Sequence, residues 1–253
     1  MSWLDVCRHL AYLGPPIALA DLLFTAPHGL VHQSWAPRDM RGGGTINADG
    51  FGVGWYPGSA KPVRYRQPHP IWSDESLAEL AASIVTGAAV AAVRSASVGM
   101  PVTTGASAPF AERNWLFSHN GLVADWPESM SDLAEQLPVR DLLTLDAATD
   151  AALLWALVRH RLRGGAGLDA ALAATVADVL RVAPGSRLNL LLTDGRQLAA
   201  TTRGHSLWWR RVPGGVLVAS EPLDEDESWT PVPEGSLVYG TSSGVAVKDL
   251  GAA

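Results

Sequence analysis

Cys7 is the only cysteine among the 253 residues, and that isolation limits what it can do. It cannot close an internal disulfide or join a cysteine-rich zinc site. What remains is a small buried apolar side chain, a reactive thiol or a lipid attachment point. A lipoprotein site carries small residues just before its cysteine, whereas this chain has Asp5 and Val6 there. His119-Asn120-Gly121 contains an Asn-Gly pair, which taken alone reads as a hairpin turn. His28 and His32 lie four apart, but no Glu follows as in a metalloprotease helix, and Pro27 and Gly29 weaken the helix; surface or structural histidines are expected. Asp224 to Glu227 (DEDE) reads as a solvated acidic loop. Arg41-Gly-Gly-Gly44 lacks the Lys-Ser/Thr of a phosphate loop and reads as a mobile loop near a site. The glycines of Gly50-Phe51-Gly52-Val53-Gly54 have the wrong spacing for a dinucleotide fold.

The elements that must position these residues come from pattern. Segment 18–24 (ALADLLF) predicts a short helix, 50–56 a strand or hairpin arm, and 76–86 a helix. Segments 88–94 (AAVAAVR) and 115–118 (WLFS) predict buried strands ending in polar groups. The clearest helix covers 147–163, with Leu153, Leu154, Leu157 and Val158 on one stripe and Arg159, Arg161 and Arg163 near its C-terminal end. A second helix covers 168–182, closed by Pro184-Gly185. The last third predicts two hairpins, one turning at Asp194-Gly195 and one at Pro213-Gly214-Gly215. Strands, then helices, then strands indicate an α+β layered architecture.

Composition bounds the rest. Hydrophobic residues make up 47% and charged residues 17%, enough for a sizeable core. The net charge of −6 argues against a nucleic-acid partner, since no basic surplus faces phosphates. The first residues lack a basic region, and no apolar run reaches membrane-spanning length, so no membrane association and a cytoplasmic location are expected.

Four segments, CRHLAYLG (7–14), NADGFGVGW (47–55), VRSASVGMP (93–101) and SHNGL (118–122), stand in an order and spacing that resembles the class II glutamine amidotransferases, N-terminal-nucleophile hydrolases. The resemblance runs through nearly the whole chain. It implies a four-layer αββα sandwich of two mainly antiparallel sheets between helical layers, formed by one domain over 7–253. It implies no cofactor and no metal. In that family Cys7 would attack the γ-carbonyl of a glutamyl group while its own α-amine serves as base, a group that titrates at about 7.7 to 8.0. The Asn120 side-chain amide and the Gly121 N–H would hold the oxyanion. Arg94 would grip the substrate carboxylate, where a planar fork suits the target. Asp150 would pair with the substrate ammonium; its position equally suits helix N-terminal charge complementarity, and Asp146 competes if the register slips one turn.

Six residues, MSWLDV, precede Cys7, and an acylated amine could not act as base. Initiation at a GTG codon for Val6 followed by Met removal would expose Cys7, as would removal of a propeptide; a retained extension implies an inactive protein. The opening segment and the late VLVASEPLDEDESW look most like one branch of the family, the γ-glutamyl hydrolases of ergothioneine biosynthesis. That branch releases glutamate from γ-glutamyl-hercynylcysteine sulfoxide, a small-molecule substrate. A broader stand-alone γ-glutamyl peptide hydrolase or a glutaminase-type subunit is the alternative. The trimethylammonium of such a substrate would suit an aromatic, acidic pocket, for which Trp35, Trp72 and Trp115 are candidates.

Overall fold

A computed structural model of the chain describes residues 7–40, 46–58 and 61–251. The extension 1–6 and the Arg41–Gly44 loop lie outside the described residues. Thirteen strands and six α-helices occur among those described. In chain order the strands are β1 (Arg8–Ala18), β2 (Phe51–Trp55), β3 (Val63–Gln67), β4 (Val85–Val93), β5 (Phe110–Glu112), β6 (Trp115–Leu122), β7 (Arg187–Thr193), β8 (Gln197–Thr201), β9 (Trp208–Val212), β10 (Gly215–Ala219), β11 (Thr230–Pro231), β12 (Ser236–Thr241) and β13 (Val245–Asp249). The helices are α1 (Leu30–Gln33), α2 (Leu77–Ser83), α3 (Ser131–Glu135), α4 (Val139–Leu143), α5 (Asp150–Arg163) and α6 (Leu168–Val182). The strands form two antiparallel sheets, ordered β11-β9-β10-β1-β4-β2-β3 and β13-β12-β8-β7-β6-β5.

Alternation along the strands decides the layering, because successive side chains leave opposite faces. In β1, Leu10 and Tyr12 join one apolar core while Ala11 and Leu13 join another. In β4, Ala89, Ala91 and Val93 go with the first core, and Ala88 and Val90 with the second. The second core also takes Leu191, Leu198, Ala200 and Val238 from the other sheet, so it lies between the sheets. Leu22, Leu23, Leu30, Leu77 and Ala81 cover the outer face of the first sheet. The outer face of the second is covered by α5 and α6, with Leu153, Leu154, Leu157, Val158, Leu172 and Val176 buried against Phe117, Leu190 and Leu192. Three cores make four layers, the expected αββα sandwich.

Helix α5 opens with Asp150, and its seating is well defined. Thr149 caps its N-terminus by accepting a hydrogen bond from the Ala152 N–H at 3.2 Å. Trp155 stacks on Phe117 of β6 with ring centroids 5.4 Å apart and planes 19° apart, a contact worth about 0.5–1.5 kcal/mol beyond area burial. Helix α5 and strand β6 are thereby fixed relative to each other.

One local expectation is corrected. The helix expected over 76–86 stops at Ser83, and Val85 opens β4. Ile84, Val85 and Thr86 are consecutive β-branched residues, which favour a strand. The short helix expected over 18–24 forms one residue later: β1 runs to Ala18, and helical turns cover 19–25, of π type over Asp21–Thr25. The Asn-Gly pair makes no turn: Asn120 and Gly121 lie inside β6, opposite Asn189 and Leu188 of β7.

Candidate active site

The second sheet leaves a gap at its edge. Strand β5 pairs only with Trp115–Phe117, so among the described residues Ser118–Leu122 of β6 have a ladder partner on the β7 side alone. Over this region the chain opens a cleft lined by Cys7, Arg94, His119, Gly121 and Asp150, with Phe51 and Phe110 as apolar walls. Four of the five site residues expected from sequence therefore share one cleft. The fifth, Asn120, is the buried neighbour of two of its lining residues.

Each side chain is held by its element. Cys7 stands immediately before β1, half-buried, with its Sγ 3.6 Å from the Ser95 carbonyl. Arg94 follows β4; its backbone N–H donates to Gly50 O at 2.8 Å and its Nη1 to Pro101 O at 3.0 Å. Asp49 pins the adjoining loop, accepting from the Ala96 N–H at 2.8 Å. Asp150 opens α5, where the helix dipole favours a carboxylate. Its Oδ2 accepts from the Val123 N–H at 3.0 Å and its Oδ1 from the Ala151 N–H at 2.7 Å. An ionised carboxylate offers about four lone-pair sites, so acceptor capacity remains toward the cleft.

Gly121 is dictated by close approach. Its φ is +152°, and a Cβ built there would lie 1.9 Å from the Arg187 carbonyl oxygen. Asn120 is anchored on its nitrogen side, where Nδ2 donates to Ser220 Oγ at 3.4 Å. Its Oδ1 is buried without a hydrogen-bond partner among the described residues. Leaving such a group unpaired costs about 1–3 kcal/mol.

Behind Cys7 lies a buried ionic cluster that sequence reasoning missed. Arg8 is 1% exposed; its Nε donates to Glu221 Oε1 at 2.6 Å, its Nη1 to the Cys7 carbonyl at 3.0 Å, and its Nη2 to the Asp39 carbonyl. Glu221 also accepts from the Arg38 N–H at 2.8 Å and meets His28 Nε2 at 2.8 Å. Burial opposes its charge, but the His28 hydrogen bond, the Arg8 charge and the Arg38 N–H outweigh it and hold the carboxyl at about 2. His9 sits between the sheets with Nδ1 3.1 Å from Ser118 Oγ. Burial, then the charges of His119, His205 and Arg8, keep its imidazole well below the ordinary value. The one sequence cue for the ionic cluster was an Arg at the start of an otherwise apolar strand.

Other expectations sort as follows. Asp146 does not reach the cleft: its carboxylate lies 3.4 Å from Arg66 and 3.9 Å from Arg64. His28 is structural, fully buried on Glu221, and its Nδ1 meets His32 Nδ1 at 2.9 Å. In the acidic loop, Asp224 is bound to Arg210 and to the Trp229 indole, while Glu225 and Glu227 are exposed. None of Trp35, Trp72 and Trp115 lines the cleft. Among the described residues no group of three His, Cys, Asp or Glu side chains could hold a metal ion, and no helix is long and apolar enough to cross a membrane.

Known proteins give the same architecture. The chain is 41% identical, over 97% of its length and the whole of the relative, to γ-glutamyl-hercynylcysteine sulfoxide hydrolase of Mycolicibacterium smegmatis. It is 40% identical over the same share, and 97% of the relative, to the enzyme of that name from Mycobacterium tuberculosis. A glutamine aminotransferase class-II domain protein from Silicibacter pomeroyi superposes with a TM-score of 0.67 at 26% identity, covering 97% of this chain and all of that one. Glutamine phosphoribosylpyrophosphate amidotransferase from B. subtilis, at 16% identity, shares the fold with a TM-score of 0.68 over 97% of this chain and 49% of that one. The family model for class-II glutamine amidotransferases matches residues 22–215. With the sandwich, the cleft and these matches in agreement, the chain belongs to the class-II glutamine amidotransferases.

Proposed function

We propose that the protein hydrolyses the γ-glutamyl amide bond of γ-glutamyl-hercynylcysteine sulfoxide, releasing glutamate and hercynylcysteine sulfoxide through a thioester on Cys7. The observation that carries this reading is the convergence of a thiol, a guanidinium and a carboxylate, Cys7, Arg94 and Asp150, on one cleft. The named relatives supply the substrate.

Arg94 binds the α-carboxylate of the glutamyl group and Asp150 its α-ammonium, which together aim the γ-carbonyl at Cys7. The α-amine of Cys7 takes the thiol proton as sulfur attacks the carbonyl carbon. The second N–H of Asn120 Nδ2 and the Gly121 N–H hold the oxyanion, each worth about 3–4 kcal/mol in comparable sites. Collapse breaks the C–N bond, and the ammonium returns its proton to the departing amine of the cysteine moiety. Water, deprotonated by the same amine, then attacks the thioester and releases glutamate with the thiol restored. This chemistry needs a free α-amine on Cys7, so the working chain begins there. A reactive thiol of this kind suits a reducing compartment, and the cytoplasm is the proposed location.

The test compares a protein beginning at Cys7 with one retaining Met1. Each is offered γ-glutamyl-hercynylcysteine sulfoxide, γ-glutamylcysteine, glutathione and glutamine. The Cys7-initiated form is expected to prefer the sulfoxide, and hydroxylamine is expected to trap γ-glutamyl hydroxamate; the Met1 form is expected to be inert. Equal turnover of all four compounds replaces the proposal with a broad γ-glutamyl hydrolase. An intact Met1 on active enzyme purified from its native gene overturns the mechanism.

A further inference from the structure

Two adjacent residues just beyond β10, Ser220 and Glu221, reach the two halves of the site from behind. Ser220 accepts the His9 N–H at 3.0 Å, donates to the His9 carbonyl at 3.2 Å and accepts from Asn120 Nδ2 at 3.4 Å. It thus joins β1 of the first sheet to β6 of the second at the side chain assigned to the oxyanion. Glu221 takes Arg8 Nε, and Arg8 Nη1 takes the carbonyl of Cys7 itself. Fixing that carbonyl fixes the Cys7 backbone, and with it the directions of both the thiol and the α-amine. Glu221 also receives the N–H groups of Arg38 and Asp39, at 2.8 and 3.3 Å. Ser220 and Glu221 are both 1% exposed, so neither has a surface role.

We propose that Ser220 and Glu221 are positioning residues for catalysis, Ser220 orienting Asn120 and Glu221, through Arg8, orienting Cys7. The proposal rests on the reading of Cys7 and Asn120 given above. Neither residue touches substrate, so both act on the chemical step rather than on binding. Misplacement of a reacting group by about 1 Å can cost about 100-fold in rate.

The experiment measures kcat, KM and thermal midpoint on γ-glutamyl-hercynylcysteine sulfoxide for Ser220→Ala, Glu221→Gln, Arg8→Gln and the double variant Arg8→Gln/Glu221→Gln. Expected for each single variant is a fall in kcat of about tenfold or more with KM within about twofold of the parent. Because Glu221 acts through Arg8, the double variant is expected to lose no more than the worse single one; independent effects would multiply. Glu221→Gln removes a buried charge that Arg8 pairs with and can unfold the protein, whereas the double variant removes both charges and keeps the comparison readable. Ser220→Ala tests the other arm with a small change. An active parent with variants retaining kcat within twofold, or multiplicative losses, overturns the proposal alone. An inert parent overturns the functional reading and the proposal together.

Discussion

A side chain at residue 121 has no room, because the Arg187 carbonyl occupies the position of its Cβ. Gly121→Ala must move β6 or β7 at the site, at a cost of about 1–3 kcal/mol for the backbone conformation alone. Loss of stability and of turnover together is expected, read by urea denaturation and by the glutamate released. Cys7→Ser is expected to do the opposite and separate the two. Serine keeps nearly the size of the half-buried Cys7 side chain, so the thermal midpoint should hold while kcat falls by about 10³-fold or more. Arg94 and Asp150 divide differently again, since both are assigned to the glutamyl end of the substrate. Removing a charged hydrogen bond costs about 1.5–3 kcal/mol, so Asp150→Asn is expected to raise KM by about 10- to 100-fold. A KM unchanged in Asp150→Asn would return that carboxylate to charge complementarity at the helix N-terminus.

At the scale of elements, legibility followed the range of the signal. Helix α6 spans Leu168–Val182, as its periodicity indicates, and the β7–β8 and β9–β10 hairpins turn where Asp194-Gly195 and Pro213-Gly214 indicate. Each depends on residues a few positions apart. The Asn120-Gly121 pair carries a turn signal by itself, but β7 supplies a ladder and the Arg187 carbonyl demands a glycine; that contact crosses 66 residues and no local pattern contains it. Arg8 and Glu221 are 213 positions apart, so the cluster behind Cys7 was hidden until β10 was placed beside β1. Four of the five residues expected from the resemblance line one cleft because family motifs encode such distant pairings. Elements also set a testable dependence at α5. Thr149 caps the helix and directly precedes Asp150, so Thr149→Ala is expected to cost about 1 kcal/mol of stability and to raise KM as the first turn loosens. A lower thermal midpoint with KM unchanged would confine Thr149 to the fold.

Over the whole molecule, the charges buried between and behind the sheets make stability fall with acidity in two stages. His9 is 1% exposed and its imidazole titrates well below 6.5 in the folded state. Below about pH 6.5 the unfolded chain therefore binds a proton that the folded chain refuses, and stability declines as pH falls. Glu221 adds the second stage. Its carboxyl titrates at about 2 when folded against 4.5 when free, so its contribution is complete above about pH 4.5 and is lost as pH falls toward 2. Both groups lie behind the cleft, His9 bonded to Ser118 and Ser220, and Glu221 to Arg8, the residue that follows Cys7. The cleft and the fold should consequently weaken together in acid. Urea unfolding measured from pH 7.5 down to 3 is expected to show the decline beginning near pH 6.5 and steepening below 4.5. His9→Gln removes the titrating imidazole and should flatten only the upper stage. Stability that stays level from pH 7.5 to 5, or a His9→Gln profile parallel to the parent, would mean that the unfolding chain gains no proton at His9.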